Sequence, residues 1–158
     1  MKLQAAMEYL MTYGWAILII SIVLAALFAS GIFNPSQFAG QECVLSSGFS
    51  CLNYYLTSNG ILTLNLFQST NGAVNITSLG CAVTQTTAYM SAPNNPPSNQ
   101  VYMPLGSNYT FPITCYANGT QLSTAVGSLF SGYIAINYTE TETGFPNTVY
   151  GKLVVKAS

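Results

Sequence analysis

Hydrophobic positions divide the chain into two unlike parts. From Leu10 to Phe33, LMTYGWAILIISIVLAALFASGIF, apolar residues follow one another with no charge and no face reserved for water. As a helix rising about 1.5 Å per residue, this run reaches roughly 36 Å, more than the ~30 Å hydrocarbon core of a bilayer. Gly31 suits a C-terminal cap, and Asn34-Pro35-Ser36 cannot continue the helix, so the pattern predicts an end near Ile32. Residues 4–33 are therefore read as a membrane-length helix and 34–42 as a polar linker.

From Cys43 the period falls to two. In YYLTSNGILTLNLF, Asn59 and Gly60 separate two β-type runs and predict a hairpin, with Leu62, Leu64 and Leu66 on one face. GAVNITSL sends Val74 and Ile76 one way and Ala73, Asn75 and Thr77 the other. SGYIAINYTET opposes Ile134, Ile136 and Tyr138 to Tyr133, Ala135 and Asn137. TVYGKLVVKAS opposes Val149, Leu153 and Val155 to Tyr150, Lys152, Val154 and Lys156. SAPNNPPSNQ, Ser91 to Gln100, reads as a surface loop because its prolines exclude a central strand. The expected class is α+β: a long N-terminal hydrophobic α-helix followed by an antiparallel, sandwich-like β head over 43–158.

Composition narrows the chemistry. Only 4% of the 158 residues are charged, and the formal net charge is −1. The cations are Lys2, Lys152 and Lys156 and the acids Glu8, Glu42, Glu140 and Glu142, with no Arg, Asp or His. Nucleic-acid binding needs clustered cations to displace counterions, and none can be assembled. General acid/base work, nucleophilic triads and most metal sites lose their usual groups, so neither an enzyme nor a cofactor is expected.

Glu8 stands at the entrance to the apolar run, where a plain anchor or a secretory signal peptide has no use for an acid. A signal peptide would also have a shorter apolar core and a basic flank. Near a helix N-terminus a carboxylate gains about 0.3–1 kcal/mol from the macrodipole, which is the structural reading of Glu8. Set among packed apolar helices it would cost several kcal/mol unless it met a cation, which an adjacent chain's N-terminal amine could supply. Ser21, Ala25 and Ala29 recur every fourth residue and offer a face on which helices can approach closely.

KLQAAMEYLMTYGWAILIISIVLAALF resembles the N-terminus of archaeal type IV pilins: a short basic leader, cleavage before Gln, Glu at the fifth mature position, then a hydrophobic helix. The resemblance covers about the first thirty residues. It implies cleavage between Leu3 and Gln4 by a membrane-embedded prepilin peptidase, with 1–3 as leader. The family usually has a small residue where this chain has Leu3. It further implies that the amine of Gln4 in one subunit pairs with Glu8 of another as helices gather into a filament core. The precursor would sit in the cytoplasmic membrane with Lys2 inside, awaiting the pilus assembly machinery.

Four cysteines in a stretch rich in Asn, Thr and Tyr suit an exported, oxidised head. Three connectivities are open, and the reading adopted joins Cys43 to Cys51 and Cys81 to Cys115; zinc binding would need closer pairs. Sequons begin at Asn75, Asn108, Asn118 and Asn137, and alternation turns Asn75 and Asn137 away from the core. Glu140 and Glu142 read as solvated strand-end acids rather than a Ca²⁺ site, since no Asp-rich loop accompanies them. The function expected is a structural subunit of an extracellular pilus, a helical homopolymer serving attachment. The alternative is a minor pilin or anchored module that binds a surface, a sugar or a partner.

Overall fold

The computed structural model describes residues 2–33, 40–46, 48–92 and 100–158, with side chains from Gln4 onward within those ranges. The Asn34-Pro35-Ser36 stop, most of the 34–42 linker and most of the 91–100 loop lie outside the described residues, as does the side chain of Leu3. The chain divides into two compact units, Met1–Ala39 and Gly40–Ser158.

The first unit is one helix, α1, Lys2–Ala29. It ends three residues before Ile32. The Ser30 N–H donates to Ala26, the Gly31 N–H to Phe28, and Gly31 takes φ 71°, a left-handed cap. Apolar side chains are exposed around its whole circumference, among them Leu10, Trp15, Ile20 and Leu24. Thr12 and Ser21 donate their hydroxyls to the carbonyls of Glu8 and Ile17, each at 2.8 Å, so neither carries an unsatisfied donor on that surface.

The second unit is a mostly antiparallel, nearly closed β-sheet. Its elements are β1 Glu42–Leu45, β2 Phe49–Leu56, β3 Ile61–Gln68, β4 Val74–Ala82, α2 Gln85–Ser91, β5 Val101–Met103, β6 Asn108–Ala117, β7 Thr120–Gln121, β8 Leu129–Glu140 and β9 Pro146–Lys156. Strand β1 starts at Glu42, inside the stretch read as linker. The order across the sheet is β1-β9-β8-β4-β6-β3-β2, with β5 beside β4 and β7 beside β6. The alternating faces read from sequence line the interior: Leu62, Leu64, Leu66, Val74, Ile76, Ile134, Ile136, Leu153 and Val155 are fully buried.

Two places interrupt the ladder. Between β4 and β6 the pairing is parallel and only two residues deep, Cys81 with Cys115 and Ala82 with Tyr116. Pro112 lies where β6 pairs with β3 alone, a position that tolerates a residue without an N–H. At the other interruption β2 meets the far end of the sheet: Leu56 bridges to Ala157, and the Ser158 N–H donates to Leu56 at 2.9 Å. A disulfide crosses each seam, Cys81–Cys115 at the first and Cys43–Cys51 at the second.

Two local features were not legible beforehand. The Asn59-Gly60 hairpin forms through a longer loop, in which the Thr57 N–H donates to Ile61 and Gly60 has φ 78°. The two-residue Asn-Gly turn lies at Asn118-Gly119, both with positive φ (51° and 82°), between paired Ala117 and Thr120. Helix α2 is the other. Thr84 caps it and forms a reciprocal capping box with Thr87. It packs Ala88 against Ala82 and Ala135, covering a patch of the outer face.

Helix α2 can settle on β4 because residue 80 has no side chain: a Cβ there would run into the Ala88 carbonyl. Gly80→Ala should lower stability by about 1–3 kcal/mol, the usual cost of overpacking. Gly40→Ala, with nothing within 4 Å, should be neutral in the same denaturant titration. The seams yield a second expectation. Loop closure ranks the bridge of separation 34 above that of separation 8. Replacing the Cys81–Cys115 pair by alanines should therefore cost about 4 kcal/mol and the Cys43–Cys51 pair about 2.5, as read from unfolding midpoints.

Candidate functional site

Glu8 is the chemically distinctive residue of α1. It lies roughly two turns in from Lys2, beyond the first turn where a macrodipole acts, and that first turn contains no acid. The dipole therefore gives little reason for it. Its carboxylate is exposed and makes no hydrogen bond or ion pair among the described residues. Tyr9 and Tyr13 pack against each other one helical turn apart, with ring centroids 4.5 Å apart and planes tilted by 39°. The small residues Ser21, Ala25 and Ala29 are exposed on one face farther along, followed by the capped end. One exposed carboxylate thus stands on a rod whose remaining side-chain surface is mostly apolar.

In the head, a cavity of about 380 Å³ lies between the β3–β4 turn (Ser69 to Ala73), Gly48, and the end of β8, where Tyr138, Glu140 and Glu142 line it. Glu140 accepts from the Thr143 hydroxyl at 2.8 Å and from the Asn147 amide at 3.3 Å, so its carboxylate is folded onto the β8–β9 turn. Glu142 is exposed in that turn. Among the described residues no group of three or more His, Cys, Asp or Glu is placed to hold a metal ion. Beneath the β3–β4 turn the buried Gln68 amide donates to the Thr70 hydroxyl and the Gly72 carbonyl, each at 2.5 Å, and holds the turn in shape.

A shallower groove of about 380 Å³ runs between β1, α2 and the β8–β9 hairpin, where Tyr133 and Tyr150 stand with Gln85 and Lys152. Sequence reading passed over it because Gln85 belongs to the unforeseen α2 and reaches the two tyrosines only through the fold.

The four sequons differ in setting. Asn75 is half-buried in β4 and paired on both sides, with Tyr102 and Thr139. Asn137 is half-buried in β8, where its amide donates to Ser78 at 2.9 Å and its carbonyl accepts from Thr148 at 2.8 Å. Both face away from the core, as alternation requires, yet both are held within the sheet. Asn108, at the start of β6, and Asn118, in its turn, are exposed.

No family model matches the chain, and comparison with curated proteins also finds no match.

Burial, and to a lesser extent the negative charge of Glu140, raise the Tyr138 phenol above its ordinary value of 10.0. Because the folded chain holds this proton more tightly than the unfolded one, the associated stability is complete below pH 10.0 and is lost as pH rises through the folded value. Ultraviolet phenolate titration should lose a late-ionising component in Tyr138→Phe, and the variant should lose less stability in alkali than the parent.

Proposed function

We propose that the chain is a structural subunit of an extracellular filament of the archaeal type IV pilus kind, polymerising through α1 with its β head outside. The observation that carries this reading is Glu8: a carboxylate with no partner among the described residues, on a helix that is apolar all round and long enough to cross a membrane. A helix apolar on every side is stable only where other apolar matter surrounds it, either lipid or copies of itself. Lipid accounts for the apolar surface but leaves the carboxylate without a partner. Copies account for both if each presents a cation at the height of its neighbour's Glu8, and a newly exposed amine at Gln4 lies about one turn away along the same helix. Ser21, Ala25 and Ala29 offer the close-approach face that such a bundle needs.

Assembly would then exchange lipid for protein around α1 and bring the anion out of contact with water only where its counterpart waits. The head contributes rigidity, through two disulfides, and a surface with almost no charge, so contacts between heads would depend little on salt. The prepilin peptidase and the assembly machinery are the partners this reading requires. A second reading, a surface-binding module, is favoured by the tyrosine groove at Tyr133, Tyr150, Gln85 and Lys152. Loss of attachment with intact filaments in a Tyr150→Ala variant would support it.

Removing one member of a buried ion pair costs about 3–5 kcal/mol, which corresponds to roughly two to four orders of magnitude in subunit association. Glu8→Gln should therefore leave the precursor in the membrane and abolish visible filaments in electron micrographs. N-terminal sequencing of assembled material should begin at Gln4. Filaments from Glu8→Ala cells at normal yield, or mature protein that retains Met1, would overturn the proposal.

A further inference from the structure

The sequons are the chemistry that the assembly reading leaves unused, and the structure separates them. An asparagine accepts a glycan only if its amide nitrogen and the following Thr can enter the transferring enzyme, which requires an accessible stretch of backbone. Asn75 and Asn137 fail this requirement. Each lies in a strand with a neighbour on both sides, and the Asn137 amide is already committed to Ser78. Asn108 is exposed but lies in the long β3–β6 ladder, opposite Phe67.

Asn118 is placed differently. It is the first residue of a two-residue turn that opens onto β7, a strand of only two residues, Thr120–Gln121. Its side chain makes no hydrogen bond among the described residues. The sequon hydroxyl, Thr120 Oγ1, is exposed and bonded only to the Ala117 carbonyl at 3.0 Å, a contact made at the surface. Beside the turn lies a cavity of about 230 Å³, lined by Thr87, Met90, Ser91, Tyr116, Asn118 and Gly119. Met90 is 69% exposed at its edge.

We infer that Asn118 is the preferred glycan acceptor of the head and that the first sugar of the glycan rests in the adjoining cavity. Asn118 lines that cavity, so a sugar joined to its amide starts at the cavity wall. The apolar face of the sugar ring would lie on Met90 and Tyr116 while its hydroxyls remain wet, the amphipathic match that a tyrosine ring offers. In the transfer, Asn118 Nδ2 forms a bond to C1 of a sugar carried on a lipid phosphate. The C1–O bond to that phosphate breaks, the lipid phosphate departs, and one amide proton passes to a base of the transferring enzyme. No electrons are exchanged with an external carrier. The inference rests on export of the head and not on polymerisation, so its failure with normal filaments would leave the assembly reading untouched.

The test is glycopeptide mass spectrometry on full-length protein from its native cells. Asn118 should be the most heavily occupied site, with Asn75 and Asn137 bare. Thr120→Val removes the sequon while retaining the turn residue, and Asn118→Gly retains a residue at ease with positive φ; both should lose that mass and still form the two disulfides. Bare Asn118 in protein whose disulfides have formed, or occupied Asn137 beside bare Asn118, would overturn the assignment. The seat is tested separately by mild peroxide oxidation, with buried Met103, 1% exposed, as internal reference. Met90 should oxidise at least roughly threefold more slowly in the glycosylated chain than in Thr120→Val, because sulfoxide formation follows access to the sulfur. Equal rates would remove the sugar from the cavity.

Discussion

The head depends on closing a sheet at two places where backbone pairing fails. A curled sheet gains its stability from ladders and from the apolar side chains they turn inward, but any residual seam is an edge from which water and other strands can enter. Here the β4–β6 seam has two residue pairs, the seam at β2 has among the described residues the single bridge from Leu56 to Ala157, and each seam carries one disulfide. The cysteines thus fall where hydrogen bonding is weakest. Cys81 and Cys115 are also fully buried within the core they close. In a chain with so few charges, covalent closure takes on a task that surface ion pairs could perform only weakly.

The N-terminal helix obeys the opposite rule. The head buries a contiguous apolar core, whereas the side chains of α1 remain exposed around its circumference. Its Thr12 and Ser21 hydroxyls turn back onto its own carbonyls, an arrangement that also suits a helix in an apolar medium. Glu8 is the exception to that self-sufficiency. Among the described residues its carboxylate has no hydrogen-bond or ion-pair partner, and the proposed assembly supplies one from a neighbouring copy.

What could be read from residues alone follows the range of the interactions concerned. Continuous hydrophobicity from Leu10 to Phe33 is a property of neighbours, and so is the alternation that placed Leu62, Leu64, Leu66, Ile134, Ile136 and Val155 inside. Ala135 shows the limit. Alternation turned it away from Ile134 and Ile136 correctly, yet it is buried, because α2 arrives from elsewhere to cover it. Helix α2 itself is a single short segment whose Thr84/Thr87 capping box lacks the Glu or Gln that marks the motif in sequence. The tyrosine groove was hidden for the same reason, since one of its walls is that helix.

The sequence by itself determined the division into an apolar rod and an alternating head, the inward faces of the longer strands, and the oddity of an acid at Glu8, because each depends on residues within a few positions of one another. Tertiary structure alone decided that the strands curl until β2 meets the chain's last residues, that the cysteines lie at the seams, and that Asn118 is open while Asn137 is tied to Ser78. Those outcomes depend on which distant segments become neighbours. That choice is made by the packing of the whole core, and no local period in the chain encodes it.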